Sequence, residues 1–210
     1  MSATLNLSIT DPLVLSISNP VEVHFDGSRF RMNDEEFFHF CQLNRDLRIE
    51  RTSKGDIIVM APTGGKSGRQ NAKLIARVTN WAEQDASGQV FDSSTEFILP
   101  NRAGRAPDVS WVRNERWDSL AEKEQEQFPP LCPDFVVELR SKTDRLKTLQ
   151  AKMEEYLANG AQLGWLIDPI ERKVHVYQPS LAPHVLNDPE QISGEPLLKG
   201  FVLDVRSLWD

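Results

Sequence analysis

Short segments in which apolar and polar residues alternate, or in which apolar residues run together, predict several strands. They are LRIERTSKGDIIVMAP (two strands), VFDSSTEFILP, APDVSWV, FVVELR, LGWLIDP and KVHVY. Residues 67–84 and the segment TDRLKTLQAKMEEYLANG instead carry an apolar stripe with helical spacing. The polar segment RWDSLAEKEQEQF is predicted as one helix that ends before Pro129. This order of elements predicts an α/β fold, a central mixed sheet flanked by helices.

The chain has 210 residues and no internal repeat or low-complexity linker, which favours one main domain. Before it, the strand-like pieces LVLSI and VEVHF are separated by Asn19-Pro20 and Asp26-Gly27. We therefore expect an N-terminal arm or edge hairpin over residues 1–30, followed by a single domain over residues 31–210.

Charge and hydropathy restrict the class of protein. A net charge of -7 and a pI of about 5.2 argue against coating nucleic acid through the overall field, although a local basic groove stays possible. Apolar runs are far shorter than the roughly 18 residues of a membrane span, and the N-terminus lacks a secretory signal pattern. The expected location is the cytoplasm, without contact to a membrane.

Two acidic residues stand in strands where charge is costly. Asp108 leads the strand APDVSWV, and Glu138 and Arg140 point the same way out of FVVELR. A charged side chain within an apolar strand needs an ion-pair partner, a metal ion, or water at the end of the sheet. For Glu138, an ion pair with Arg140 or with a helix cation is as good an interpretation as a functional one.

A lysine on the following helix borders the buried stripe. With about 100° per residue and Leu149 at the centre of that stripe, Lys152 lies at its edge. Such a lysine can extend its stem along the apolar surface to reach solvent, or it can point into a cleft. Periodicity alone favours the first of these interpretations.

Other candidate motifs give weaker evidence for a function. The residues Gly65-Lys66-Ser67 match the end of a phosphate-binding loop, but Met60 stands where its first glycine belongs, so nucleotide binding is disfavoured. Lys66 and Arg69 are candidates for contacting a DNA backbone. Glu96 is a candidate third carboxylate if it faces the same cleft as Asp108. The four histidines have no metal-ligand spacing.

The segments APDVSWV, VVELRSKTD, KMEEYLANG and LGWLIDP resemble, in order and spacing, the Uma-type restriction endonucleases of the PD-(D/E)XK nuclease superfamily. The resemblance implies a restriction-endonuclease-like fold and Mg²⁺-dependent, or Mn²⁺-dependent, hydrolysis of DNA. It implies that Asp108 and Glu138 bind the metal together with the backbone carbonyl of Leu139. Where the superfamily has its lysine, this chain has Arg140, and the resemblance transfers the lysine's role to Lys152.

Arginine cannot act as a general base, although it can hold a phosphate or neutralise developing charge, so Arg140 is kept among the catalytic candidates. The substitution also leaves a second hypothesis open, a nuclease-derived protein that binds nucleic acid or a partner without cutting. A third is a structural dimer module whose carboxylates are merely paired with arginine. A homodimer is expected for a nuclease, because cleaving a duplex requires two strand scissions.

Overall fold

The computed structural model of the protein describes the backbone of residues 23–25 and all of residues 32–209. The helices are α1 (Asp34–Leu43), α2 (Gly65–Asp85), α3 (Asn114–Trp117), α4 (Glu122–Glu126) and α5 (Leu146–Ala158), with a 3-10 turn at Arg206–Leu208. The strands are β1 (Val23–Phe25), β2 (Arg48–Arg51), β3 (Ile57–Met60), β4 (Gly88–Asp92), β5 (Phe97–Ile98), β6 (Gly104–Arg105), β7 (Val109–Arg113), β8 (Phe135–Leu139), β9 (Leu163–Asp168), β10 (Lys173–Tyr177), β11 (His184–Asn187), β12 (Gln191–Ser193) and β13 (Val202–Asp204).

A six-stranded mixed sheet forms the centre of the fold, with strand order β11-β10-β9-β8-β7-β4. Strands β8 and β9 run parallel because α5 connects them, whereas the other neighbours in this sheet are antiparallel. This is the mixed sheet with flanking helices that the sequence predicts.

The two faces of the six-stranded sheet are covered by different elements. Leu74 and Val78 of α2 pack on one face together with residues of β12 and β13. Met153 and Tyr156 of α5 pack on the other face against Val136 of β8. Glu138 lies two residues after Val136, so the alternation of the strand directs its side chain toward α5.

A second sheet, in the order β1-β3-β2-β6-β5, packs beside α1. Its two halves are joined by a single residue pair, Arg51 of β2 with Gly104 of β6. After β6 the chain enters β7, so the second sheet leads directly to the strand that follows Asp108.

Two predicted elements are wrong in detail. VFDSSTEFILP is not one strand: β4 ends at Asp92, whose Oδ1 accepts hydrogen bonds from the N–H and hydroxyl of Ser94, and the turn sends β5 into the second sheet. The polar segment forms two short helices, α3 and α4, instead of one.

The expected arm or edge hairpin at residues 1–30 falls mainly outside the described residues. Within it, the structure describes β1, which pairs antiparallel with β3. None of the helices described in residues 32–209 has both the length and the hydropathy needed to cross a membrane.

Candidate active site

Asp108 immediately precedes β7, and Glu138 lies in β8, the antiparallel neighbour of β7. Val109 pairs with Val137, so the same register extended by one residue sets Asp108 opposite Glu138. Residues that face each other in this way have Cβ atoms about 4.5–5.5 Å apart and point to the same face of the sheet. Asp108 Oδ2 accepts a 2.8 Å hydrogen bond from the N–H of Leu139, which fixes its carboxylate beside the end of β8.

Lys152 reaches this carboxylate pair from α5. Its Nζ lies 2.9 Å from Glu138 Oε1 and 2.7 Å from Glu50 Oε1, and its side chain is only 12% exposed. One helical turn later, the hydroxyl of Tyr156 donates a 3.0 Å hydrogen bond to the same Glu138 oxygen. The side chain at the edge of the apolar stripe therefore points inward, and Glu138 is paired with a helix cation.

Glu50 is the carboxylate of this cluster that sequence reasoning missed. Its Oε1 also accepts a 3.2 Å hydrogen bond from the N–H of Ala106, and its Oε2 lies 3.1 Å from Arg105 Nη1. Arg105 in turn binds Glu155 at 2.7 Å. The available signal was the alternation in LRIER, which puts two charged residues, Arg48 and Glu50, on one face of β2. A solvent-facing strand has the same pattern, so that signal does not single out Glu50.

Arg48 provides the positive charge nearest to Asp108. Its Nη2 lies 3.5 Å from Asp108 Oδ1 and donates a 3.2 Å hydrogen bond to the carbonyl of Ala106. The site thus combines three acidic side chains with Arg48, Lys152 and Arg105, drawn from both sheets and from α5.

Arg140 lies outside this cluster. The parallel register pairs Leu139 with Ile167, so the next residues, Arg140 and Asp168, stand side by side. Arg140 Nη1 binds Asp168 Oδ2 at 2.6 Å, and the Asp168 side chain is fully buried. Of the two ion pairs that the sequence left open for Glu138, the structure contains the one with the helix cation.

Burial and charge set the protonation of the cluster. Burial raises the pKa of Glu138 to about 7; Asp108 adds to the rise and Lys152 opposes it. Burial also raises the pKa of Asp108, against the opposing effects of Arg48 and the Leu139 N–H. For Glu50, burial is outweighed by Lys152 and Arg105, which lower its pKa.

Lys152 is held in its charged form. Burial disfavours the ammonium, but Glu138 and Glu50 outweigh burial and raise the pKa of Lys152. At neutral pH this side chain therefore donates hydrogen bonds and carries a positive charge.

Glu96 is buried close to this cluster. Its side-chain Oε1 has no hydrogen-bond partner within residues 32–209, and the absence of a Cβ at Gly104 leaves room for it. Burial, with Glu50 second, raises the pKa of Glu96 well above its usual range, so Glu96 keeps its proton at pH values where an exposed glutamate is already ionised.

Replacing Glu96 with glutamine is expected to stabilise the protein increasingly as the pH rises. The unfolded state ionises Glu96 near pH 4.3, whereas the folded state retains the proton, so wild-type stability falls with pH above that value. Glutamine does not ionise, so it removes this dependence of the free energy of unfolding on pH. Urea unfolding at pH 5, 7 and 9 tests it, with Glu122→Gln on exposed α4 as control; an equal offset at all three pH values would contradict the expectation.

The donor atoms fit a hard divalent cation. Two carboxylates, one just before β7 and one in β8, with waters completing the shell, are the kind of ligand set that Mg²⁺ uses. Over residues 32–209, no group of three or more His, Cys, Asp or Glu side chains could hold a metal ion. The fit therefore rests on Asp108 and Glu138, with the carbonyl of Leu139 as the expected third ligand.

Comparison with known proteins also relates this chain to nucleases. The Uma2 family, described as "Putative restriction endonuclease", matches residues 34–206. The chain belongs to the Uma2 family. None of the curated proteins matches the Uma2 chain.

One solved structure similar to this Uma2 chain is that of "a putative nuclease belonging to DUF820" from Anabaena variabilis ATCC 29413. The two share 20% sequence identity with a TM-score of 0.71, over 85% of this chain and 97% of the other. The restriction-endonuclease-like α/β fold and the family resemblance predicted from the sequence are confirmed.

Proposed function

We propose that this Uma2 protein is a metal-dependent endonuclease that hydrolyses DNA phosphodiester bonds. The observations that carry the proposal are the 2.8 Å hydrogen bond from the N–H of Leu139 to the Asp108 carboxylate, next to Glu138, and the Lys152 ammonium 2.9 Å from Glu138. Active sites are enriched in buried titratable groups with shifted pKa values, and Glu138 is such a group. The family match also supports nuclease chemistry.

Asp108, Glu138 and the carbonyl of Leu139 would hold Mg²⁺ or Mn²⁺. Such a cation, when bound, makes a water more acidic and offsets the charge that develops on the phosphate. The raised pKa of Lys152 favours a role as a positive charge and hydrogen-bond donor to the reacting phosphate, because a protonated amine cannot accept a proton.

For Arg140 we propose a supporting role. Its 2.6 Å contact with Asp168 ties the end of β8 to the end of β9. Moving the guanidinium to a phosphate would leave the fully buried Asp168 carboxylate without this partner, which is unfavourable. Arg48 is the better candidate for a phosphate contact, since its side chain is 30% exposed beside Asp108.

The purified protein is expected to nick or cleave supercoiled plasmid DNA in Mg²⁺ or Mn²⁺, and EDTA is expected to stop it. Activity should also fall steeply between 50 and 200 mM salt, because contacts between cationic side chains and phosphates are weakened by counterions. An agarose gel measures each product. Retarded DNA without cleavage in either metal would favour the second hypothesis, a nuclease-derived protein that binds without cutting.

We also propose that the protein acts in the cytoplasm and that it forms a homodimer. A homodimer suits a nuclease, since a duplex cut requires two active sites or two successive events. Light scattering of the full chain is expected to give about twice the monomer mass of 23.9 kDa. A monomer mass at micromolar concentration, together with double-strand cleavage, would contradict the dimer.

A further inference from the structure

One carboxylate oxygen of the site, Glu138 Oε1, has several binding partners. Glu138 Oε1 accepts hydrogen bonds from Lys152 and from Tyr156, and Glu138 is also a proposed metal ligand. An ammonium and a divalent cation are both positive, so they repel each other when they share one carboxylate. The lysine must therefore weaken metal binding unless another group takes up its charge.

We propose that Lys152 is a built-in counter-ion that competes with the divalent cation for Glu138, and that Glu50 is the positioning residue that holds the ammonium when the cation is bound. This inference rests on the proposed metal-dependent function and deepens it, because it assigns a role to a carboxylate outside the expected ligand set.

Glu50 is built to hold a charge in one place. The N–H of Ala106 and the guanidinium of Arg105 fix its two oxygens, and its side chain is only 4% exposed. It belongs to β2 of the second sheet and not to the strand that carries Glu138. Binding of a cation at the end of β8 therefore does not require Glu50 to move.

Lys152 needs only a small movement to change partners. Its Nζ already lies 2.7 Å from Glu50 and 2.9 Å from Glu138. When the cation repels it, the flexible lysine stem can keep the Glu50 contact while it lengthens the Glu138 contact. The ammonium then stays in the site as a hydrogen-bond donor instead of leaving it.

The proposal predicts opposite effects from two substitutions. Lys152→Met removes the competing charge, so the dissociation constant for Mn²⁺ is expected to fall about tenfold. Glu50→Gln leaves the ammonium with Glu138 as its carboxylate partner and removes a negative charge, so the dissociation constant is expected to rise about tenfold.

Titration calorimetry with MnCl₂ on the full chain, without DNA, measures both constants. The matched controls are Lys147→Met and Glu154→Gln, which change exposed residues of α5 and are expected to leave the constant unchanged. If Glu50→Gln lacks the circular dichroism of the wild type, Glu50→Asp replaces it. The shorter aspartate moves the carboxylate away from the Lys152 ammonium, so Mn²⁺ binding is again expected to weaken.

Weaker or unchanged Mn²⁺ binding by Lys152→Met would overturn the competition. Complete loss of binding in Glu50→Gln would make Glu50 a metal ligand and overturn its assigned role. Metal-dependent DNA cleavage with unchanged constants would refute this inference alone, whereas the expected constants without cleavage would refute only the nuclease function. A wild type that binds no Mn²⁺ would refute both.

Discussion

Replacing Glu138 with glutamine is expected to reduce metal-dependent DNA cleavage by at least about 100-fold. Glutamine keeps the shape of the side chain and an oxygen that can accept the Tyr156 hydroxyl, but it removes the negative charge that the metal requires. Asp108→Asn is expected to have a similar effect, because it removes the opposing carboxylate. Initial rates of plasmid nicking, measured over a range of MgCl₂ concentrations, give the ratio.

The control for this prediction is Glu154→Gln, an exposed glutamate of α5 that changes the net charge by the same amount. Its nicking rate should stay within about twofold of the wild type, since surface charges act weakly across solvent. Cleavage by Glu138→Gln at the control rate, with an intact fold by circular dichroism, would place the reaction elsewhere in the protein.

Replacing Arg105 with methionine is expected to lower the free energy of unfolding by about 3–5 kcal/mol. Arg105 is paired with two carboxylates, Glu50 and Glu155, and the contact with Glu50 is buried on both sides. Methionine fills part of the volume but leaves Glu50 with Lys152 as its remaining cation, and a buried carboxylate that loses one of its two cationic partners is destabilised. Urea unfolding at pH 7 measures the change.

Arg206→Met provides the matched comparison. Arg206 pairs with Glu190 at 2.5 Å, but the two side chains are 60% and 68% exposed. Solvent screens such a pair, so the expected loss is at most about 1 kcal/mol. Equal losses for the two variants would mean that the buried network around Glu50 contributes no more than a surface ion pair.

The sequence predicts those parts of the site whose geometry is local. Strand alternation directs Glu138 to one face of FVVELR, and the helical angle brings Lys152 to the edge of a buried stripe. Each of these depends on a few neighbouring residues. The family resemblance then relates Asp108 to Glu138 across about thirty residues, which no local pattern does.

What the sequence could not predict depends on which strands meet. Glu50 contacts Lys152 across a separation of 102 residues, and nothing in LRIER indicates that a side chain of β2 meets one of α5. The pairing of Arg140 with Asp168 follows from the parallel register of β8 and β9, which alternation alone leaves open. The Asp92 turn likewise separates two strands that the apolar pattern joins.

The separation between Glu50 and Lys152 also bears on the synthesis of the protein. A growing chain that has left the ribosome as far as Leu139 contains Glu50, Asp108 and Glu138, but none of α5. Three acidic side chains without the lysine are an incomplete site, and the helix that completes it is made later. A nascent or truncated chain that ends before α5 therefore lacks the Lys152 ammonium. All the charges of the site are present in one molecule only after α5 has been translated.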